Sequence, residues 1–189
     1  MAVKSLNTRC TLNEFLEMEK VSDIPLEYID GYVFAKSFSS IKHNKIVTRI
    51  NARIYDYLVA KPCDVFSEQI EVILGDDRVK PDIFVICRKE NESYKRLGQS
   101  FLEIPSIIFE VVSPSNASLD TVIKMELYSN AGIREYNLVY QEGSIQQYRL
   151  NEFGFYYLAN SFRSDEFYKS IVFKDLEIDL KKVFNSLDF

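Results

Sequence analysis

The stretch "SIIFEVVSPS" at residues 106–115 constrains this chain more than any other. Ile107, Ile108, Phe109, Val111 and Val112 are apolar and mostly β-branched, the pattern of a strand buried on both faces. Glu110 stands among them with no neighbouring base. An isolated ionised carboxylate in such surroundings is costly, so it must protonate, pair or bind a metal. The rest of the chain has to supply its partner.

The sequence has room for that strand in a real core. Its 189 residues are 47% hydrophobic and 14% aromatic, enough for one α/β domain and too apolar for disorder. No apolar run approaches the roughly 20 residues of a membrane span, and the first twenty positions are too charged for a signal peptide, so no membrane partner is expected. Cys10, Cys63 and Cys87 are odd in number and lack metal-ligand spacing, which suits a reducing cytoplasmic setting with Cys63 and Cys87 as packing residues. A net charge of -5 argues against a general nucleic-acid binder, without excluding a basic face around an acidic site.

Local patterns give the elements. "TLNEFLEMEK" opens on a capping box, Thr11 with Glu14, and predicts a short helix. "IPLEYIDGYVFAKSF" predicts a hairpin turning at Asp30-Gly31. "HNKIVTRINARIYDYLVAK" is a helix with Ile46, Ile50, Ile54, Tyr57 and Leu58 on one face. Its separate basic stripe, Lys42, Lys45, Arg49 and Arg53, is either solvated surface or a nucleic-acid contact. "DVFSEQIEVIL" reads as one strand whose apolar face, Phe66, Ile70, Val72 and Leu74, also carries Glu68. After the turn "GDD" comes a strand apolar on both faces from Ile83 to Cys87, then a polar loop at 88–100, then the Glu110 strand. "SNASLDTVIKMELYSNAG" predicts a helix closed by Gly132. "REYNLVY" and "SIQQYRL" pair across "QEGS", and "FYYLANSF", "KSIVF" and "LKKVFNSL" complete the chain. The order implies a mixed α/β (α+β) domain with a central sheet and helices on its faces.

Pro81-Asp82 opens the strand before the 88–100 loop, and the loop is long enough to return the chain alongside it. Asp82 and Glu110 on adjacent strands would repel unless a cation lies between them, and their oxygens suit Mg²⁺ or Mn²⁺. Without that cation, replacing Glu110 by Gln is expected to stabilise the chain. Asp120, Lys124 and Tyr128 recur at i, i+4, i+8 on the following helix, which would deliver an ammonium to the carboxylates. Asp120 itself would cap the helix or pair with Lys124.

These residues resemble the PD-(D/E)XK nuclease superfamily, in which a strand-borne "PD" and a later "(D/E)XK" bind metal and orient water. The usual lysine position after Glu110 is Val112. The Uma-two family of restriction-endonuclease-like proteins moves that lysine to the next helix. This chain resembles that family through "TLNEFLEMEKVSDIPLEYIDGYVF", the helix led by His43, "KPDIFVI", "IFEVVSPSNASLDTVIKMELYSNAGIREYNLVY" and "LEIDLKKVF". It departs at Asn137 and Tyr140, where the family has a tryptophan-containing "EYW" and a following aspartate.

The resemblance implies a restriction-endonuclease-like fold over residues 1–189. Its core would span about 43–150, with an N-terminal helix and hairpin at 11–40 and C-terminal strands and a short helix at 151–189. It implies metal-dependent hydrolysis of DNA with Mg²⁺ or Mn²⁺. Asp82, Glu110 and the main-chain carbonyl of Val111 would hold the metal, and Lys124 would orient the attacking water. Glu27 matches the family's hairpin acid and is either a further ligand or base or a surface strand residue. His43 would contact phosphate or the metal, or cap its helix. Glu68 would face the site or end its strand in a salt bridge. Lys45, Arg49 and Arg53 would be the nucleic-acid contacts. A catalytically inactive binding or regulatory module on the same fold is the alternative, and a homodimer is compatible with either.

Overall fold

The computed structural model describes residues 9–36, 39–89, 92–114 and 117–187. Helix α1 (Leu12–Val21) starts on the predicted capping box, with Thr11 and Glu14 bonding each other's backbone amides. The predicted hairpin follows as β1 (Leu26–Ile29) and β2 (Tyr32–Ala35), with Asp30 and Gly31 both at positive φ. Next come α2 (Ile41–Leu58), β3 (Cys63–Ser67), β4 (Val72–Leu74), β5 (Asp77–Val79), β6 (Ile83–Cys87), β7 (Arg96–Leu97), β8 (Ser100–Phe101) and β9 (Ile107–Val112). A π-helical turn (Leu119–Ile123) leads into α3 (Lys124–Asn130). The chain then forms β10 (Glu135–Tyr140), β11 (Ser144–Leu150), β12 (Tyr156–Arg163), β13 (Phe167–Lys169), β14 (Glu177–Asp179) and α4 (Leu180–Phe184).

Two six-stranded sheets form where the sequence suggested one central sheet. The central sheet runs β12-β11-β10-β9-β6-β3, parallel only between β9 and β10; the second runs β2-β1-β5-β4-β8-β7. Alternation along β9 sorts the layers. Ile107, Phe109 and Val111 pack with the Ile46, Ile50 and Ile54 face of α2 and with Leu180 and Val183 of α4. Ile108 and Val112 pack with Val72 and Val79 of the second sheet and with Tyr128 of α3. Glu110 shares their parity, so its side chain leaves the strand toward α3 rather than α2.

Three local predictions fail for identifiable reasons. The expected single strand over 64–74 is broken by Glu68 and Gln69, both left-handed at φ 41° and 53°. The chain thereby leaves the central sheet after Ser67 and enters the second at Val72, a change that hydrophobic alternation cannot register. The expected α-helix after Pro114 opens instead as a π turn, and Ser115 and Asn116 lie outside the described residues. There the Tyr136 hydroxyl donates to the Asp120 carbonyl at 2.8 Å, and the Lys124 amide donates back to the Leu119 carbonyl. Cys63 and Cys87 are disulfide-bonded, not merely packed, because the antiparallel register of β3 and β6 sets them directly opposite.

The end of α3 follows the sequence closely. Gly132 at φ 80° allows its own amide and that of Ile133 to bond the Ser129 and Tyr128 carbonyls, a Schellman closure. The C-terminal segment is tied to the central sheet by another buried carboxylate, Glu135. One oxygen accepts from Gln147 at 2.9 Å and from the Tyr168 hydroxyl. The other accepts from Ser170 Oγ and from the amides of Ile171 and Val172, at 2.8, 2.9 and 2.8 Å. Glu135→Gln would present a donor to this ring of donors, so a loss of roughly 3 kcal/mol is expected in urea unfolding. A loss below about 1 kcal/mol would mean that Glu135 does not fasten this segment.

Candidate active site

Extending the β6–β9 register by one step sets Asp82 opposite Glu110, just where the ladder ends. In place of a ladder bond, the Asp82 amide donates to Glu110 Oε2 at 3.1 Å and the Val111 amide donates to Asp82 Oδ2 at 2.8 Å. Each carboxylate is thus held by the other's strand. Both are buried, at 4% and 1% exposure, at the wall of a pocket of about 280 Å³ that Val111 also lines.

Lys124 enters from the start of α3. Its Nζ lies 3.0 Å from Glu110 Oε1, 3.1 Å from Glu27 Oε2 and 3.6 Å from Asp120 Oδ1. Tyr128, one turn on, donates to Glu110 Oε1 at 2.9 Å. Glu27 is in turn fixed by the Lys80 amide, which donates to its Oε1 at 2.7 Å. Glu27 is therefore buried against Lys124, and the surface-strand alternative does not hold.

Asp82 has cations of its own. Lys36, directly after β2, brings Nζ to 2.8 Å from Asp82 Oδ1, and His43 Nε2 lies 3.0 Å from Oδ2. Lys36 meets Oδ1 as a close ion pair, and this oxygen keeps accepting capacity. The cap of α2 is Ser40, which accepts the His43 amide at 3.1 Å; the His43 ring is turned into the pocket. Glu68, swung inward by its left-handed turn, accepts from Ser39 Oγ at 2.8 Å and lies 3.7 Å from His43 Nδ1. Neither Lys36 nor Tyr128 was a sequence candidate. Tyr128 was visible in the stripe with Asp120 and Lys124, and Lys36 as a lysine ending the hairpin that carries Glu27.

Charge at the site follows from burial and pairing. Burial opposes ionisation of Asp82, but Lys36 and His43 outweigh it and hold its carboxyl well below the usual range. Burial pushes Glu110 up, against the pull of Lys124. Asp120 is likewise raised by burial, to about 8. Burial disfavours the ammonium of Lys124, yet Glu110, Glu27 and Asp120 hold it charged far up the scale. Burial also opposes charge on His43, and Asp82 reverses this and raises it.

The donors fit a divalent cation. His43, Glu68 and Asp82 each offer a ligand atom, all within 4.8 Å of one another. Within that trio, His43 Nδ1 and Asp82 Oδ1 are buried without a hydrogen-bond partner. Glu110 lies outside the trio, with both oxygens already accepting. The basic stripe of α2 has another use: Arg49 donates to the carbonyls of Val183 and Asn185 at 2.8 and 2.6 Å, and Lys45 to that of Ser186 at 3.3 Å. Arg53 pairs with Asp56 at 3.8 Å. Arg49 and Lys45 thus fasten the end of α4, a structural role that neither reading of this stripe anticipated.

Known proteins resemble this chain in sequence or in fold. A family model described as "Uma2: Putative restriction endonuclease" matches residues 12–181. The curated protein "Uncharacterized protein slr1290" of Synechocystis sp. (strain ATCC 27184 / PCC 6803 / Kazusa) is 27% identical over 156 residues, 80% of either chain. A crystal structure described as "a putative nuclease belonging to DUF820" from Anabaena variabilis ATCC 29413 superposes with a TM-score of 0.74. It covers 94% of this chain and 99% of its own at 22% identity, a likeness of fold.

Two outcomes follow for the metal-free chain. Glu110→Gln should lower the melting temperature, the reverse of the like-charge expectation. Glu110 accepts from three donors, and a Gln would turn its own amide nitrogen toward one of them. A rise would mean that repulsion from Asp82 outweighs those bonds. The pH dependence has a definite sign as well. Asp120 is raised from 3.8 to about 8, so the folded chain holds a proton that the unfolded chain has lost. That contribution is complete below pH 4 and disappears as pH rises toward 8, with a slope of up to roughly 1.4 kcal/mol per unit. Asp120→Asn should flatten the decline between pH 5 and 8 measured by urea unfolding; an unchanged slope would assign it elsewhere.

Proposed function

The chain belongs to the Uma2 family, and from that premise we propose that it is a divalent-metal-dependent endonuclease that hydrolyses DNA phosphodiester bonds. The observation that carries the reading is the convergence of Asp82, Glu110 and Lys124, from three separate elements, on one pocket wall. Side chains of this kind are rarely buried together without a task, since each loses hydration.

Asp82, with the Val111 carbonyl and Glu110, would hold the metal in the arrangement the family implies, and His43 and Glu68 extend the donor set on the other side of Asp82. When bound, Mg²⁺ or Mn²⁺ polarises the scissile phosphate and acidifies an attacking water. The imidazole in the donor set suits Mn²⁺ better than Mg²⁺. Lys124 would orient that water and stabilise negative charge developing on the phosphate, with its ammonium kept in place by Glu27 and Glu110. Glu27 acts through Lys124 and is a positioning residue. The water's oxygen bonds phosphorus as the phosphorus–ester oxygen bond breaks, and a proton passes to the leaving oxygen through solvent.

Supercoiled plasmid incubated with Mn²⁺ or Mg²⁺ should be nicked, and EDTA should stop it. Lys124→Met should cut the rate by roughly 10²–10³-fold, the scale of one lost electrostatic donor, while Mn²⁺ still raises the melting temperature. Metal binding without nicking in the wild-type chain would favour the inactive binding module instead.

A further inference from the structure

We propose that Lys36 is the resident counter-cation of Asp82: it neutralises the carboxylate in the metal-free chain and competes with a divalent ion for it, setting the affinity of the site. This rests on the metal-dependent reading above and adds to it a residue that tunes loading.

The geometry is specific. Lys36 Nζ lies 2.8 Å from Asp82 Oδ1 and donates to the Lys80 carbonyl at 2.6 Å. Its side chain is 13% exposed, so the ammonium is not a solvated surface charge that strays at no cost. The Lys36 amide bonds the Pro25 carbonyl at 2.9 Å, which pins its backbone beside the hairpin. The carbonyl it rests on belongs to a residue anchored at its own amide, which donates to Glu27 Oε1 at 2.7 Å, and at its ammonium, which is bonded to Glu19 and to the Leu26 carbonyl. Lys36 is therefore held at Asp82 from both ends.

Its place is also the place a metal would need. Of the two Asp82 oxygens, Oδ2 already takes the Val111 amide and His43, and Oδ1 is the one with accepting capacity to spare. A divalent ion on Oδ1 must displace Lys36 from that oxygen and then endure its charge at short range. An ammonium carries three donors, and its bond to the Lys80 carbonyl keeps it in the pocket after displacement. The repulsion between the two cations then persists, falling off only as the inverse of their separation. Lys124 differs, since Glu27 and Glu110 share its charge, whereas Asp82 is the carboxylate that Lys36 pairs with among the described residues.

The test is calorimetric titration of the full chain with Mn²⁺ at fixed pH. Lys36→Met and Lys36→Gln should bind Mn²⁺ at least about tenfold more tightly than the wild type, and Lys36→Arg should stay within about twofold of it. Lys36→Gln keeps a donor for the Lys80 carbonyl and guards against a variant that folds poorly. In EDTA, Lys36→Met and Lys36→Gln should melt below the wild type, and Mn²⁺ should raise them by more. Unchanged or weaker Mn²⁺ binding in both neutral variants would overturn the proposal and leave the nuclease reading intact. No Mn²⁺ binding by any of the proteins would overturn both. The expected shift in affinity without cleavage by any of them would support Lys36 as the counter-cation and remove the nuclease reading alone.

Discussion

The ammonium of Lys124 lies within 3.1 Å of both Glu27 and Glu110, and without it two buried carboxylates would lack their shared counter-charge. Breaking such a buried pair from one side costs on the order of 3–5 kcal/mol, comparable to much of a small domain's net stability. The three residues come from α3, β9 and β1, so the contact is satisfied only when the central sheet, the helix behind it and the second sheet are all assembled. The hydrophobic layers supply most of the driving force. This ion cluster selects among the ways those layers could stack.

A second requirement is that the β6–β9 ladder ends at the site. Asp82 and Glu110 stand one step past the last β6–β9 pair, and each strand's carboxylate accepts an amide that would otherwise be left unpaired where the ladder stops. The same side chains therefore terminate the ladder and line the pocket. Glu68 repeats the device on the other side: the left-handed turn that carries the chain out of the central sheet also directs its carboxylate toward His43. Sheet geometry and site geometry are one arrangement here.

That coupling explains what the sequence could and could not convey. Periodicity and turn chemistry were enough for the hairpin at Asp30-Gly31, the apolar face of α2, the doubly buried strand around Glu110 and the closure at Gly132, because each is written within a few neighbouring residues. The convergence of Lys124 with Glu110 was legible because its helical stripe ran through an apolar face. The break at Glu68-Gln69, the disulfide and the contact of Lys36 with Asp82 were not, since each depends on which distant strand lies alongside. Arg49 shows the same limit: a basic stripe looks identical whether it awaits a phosphate or holds the carbonyls of a later helix.

Glu110 and Glu135 show why burial of a carboxylate does not by itself mark a reactive site. Glu135 is surrounded by neutral donors, two of them main-chain amides that cannot leave without unfolding their segment. Its charge is spread over fixed dipoles, and nothing in that ring invites exchange with a cation. Asp82 and Glu110 are balanced instead by the side-chain charges of Lys36, His43 and Lys124, at the wall of an open pocket. Charges on side chains can be exchanged for other charges without unfolding a segment, whereas backbone donors cannot. The difference between the clamp and the candidate active site therefore lies in who neutralises the carboxylate, and the PD-like strand end is the place where the fold leaves that role to groups that can change partners.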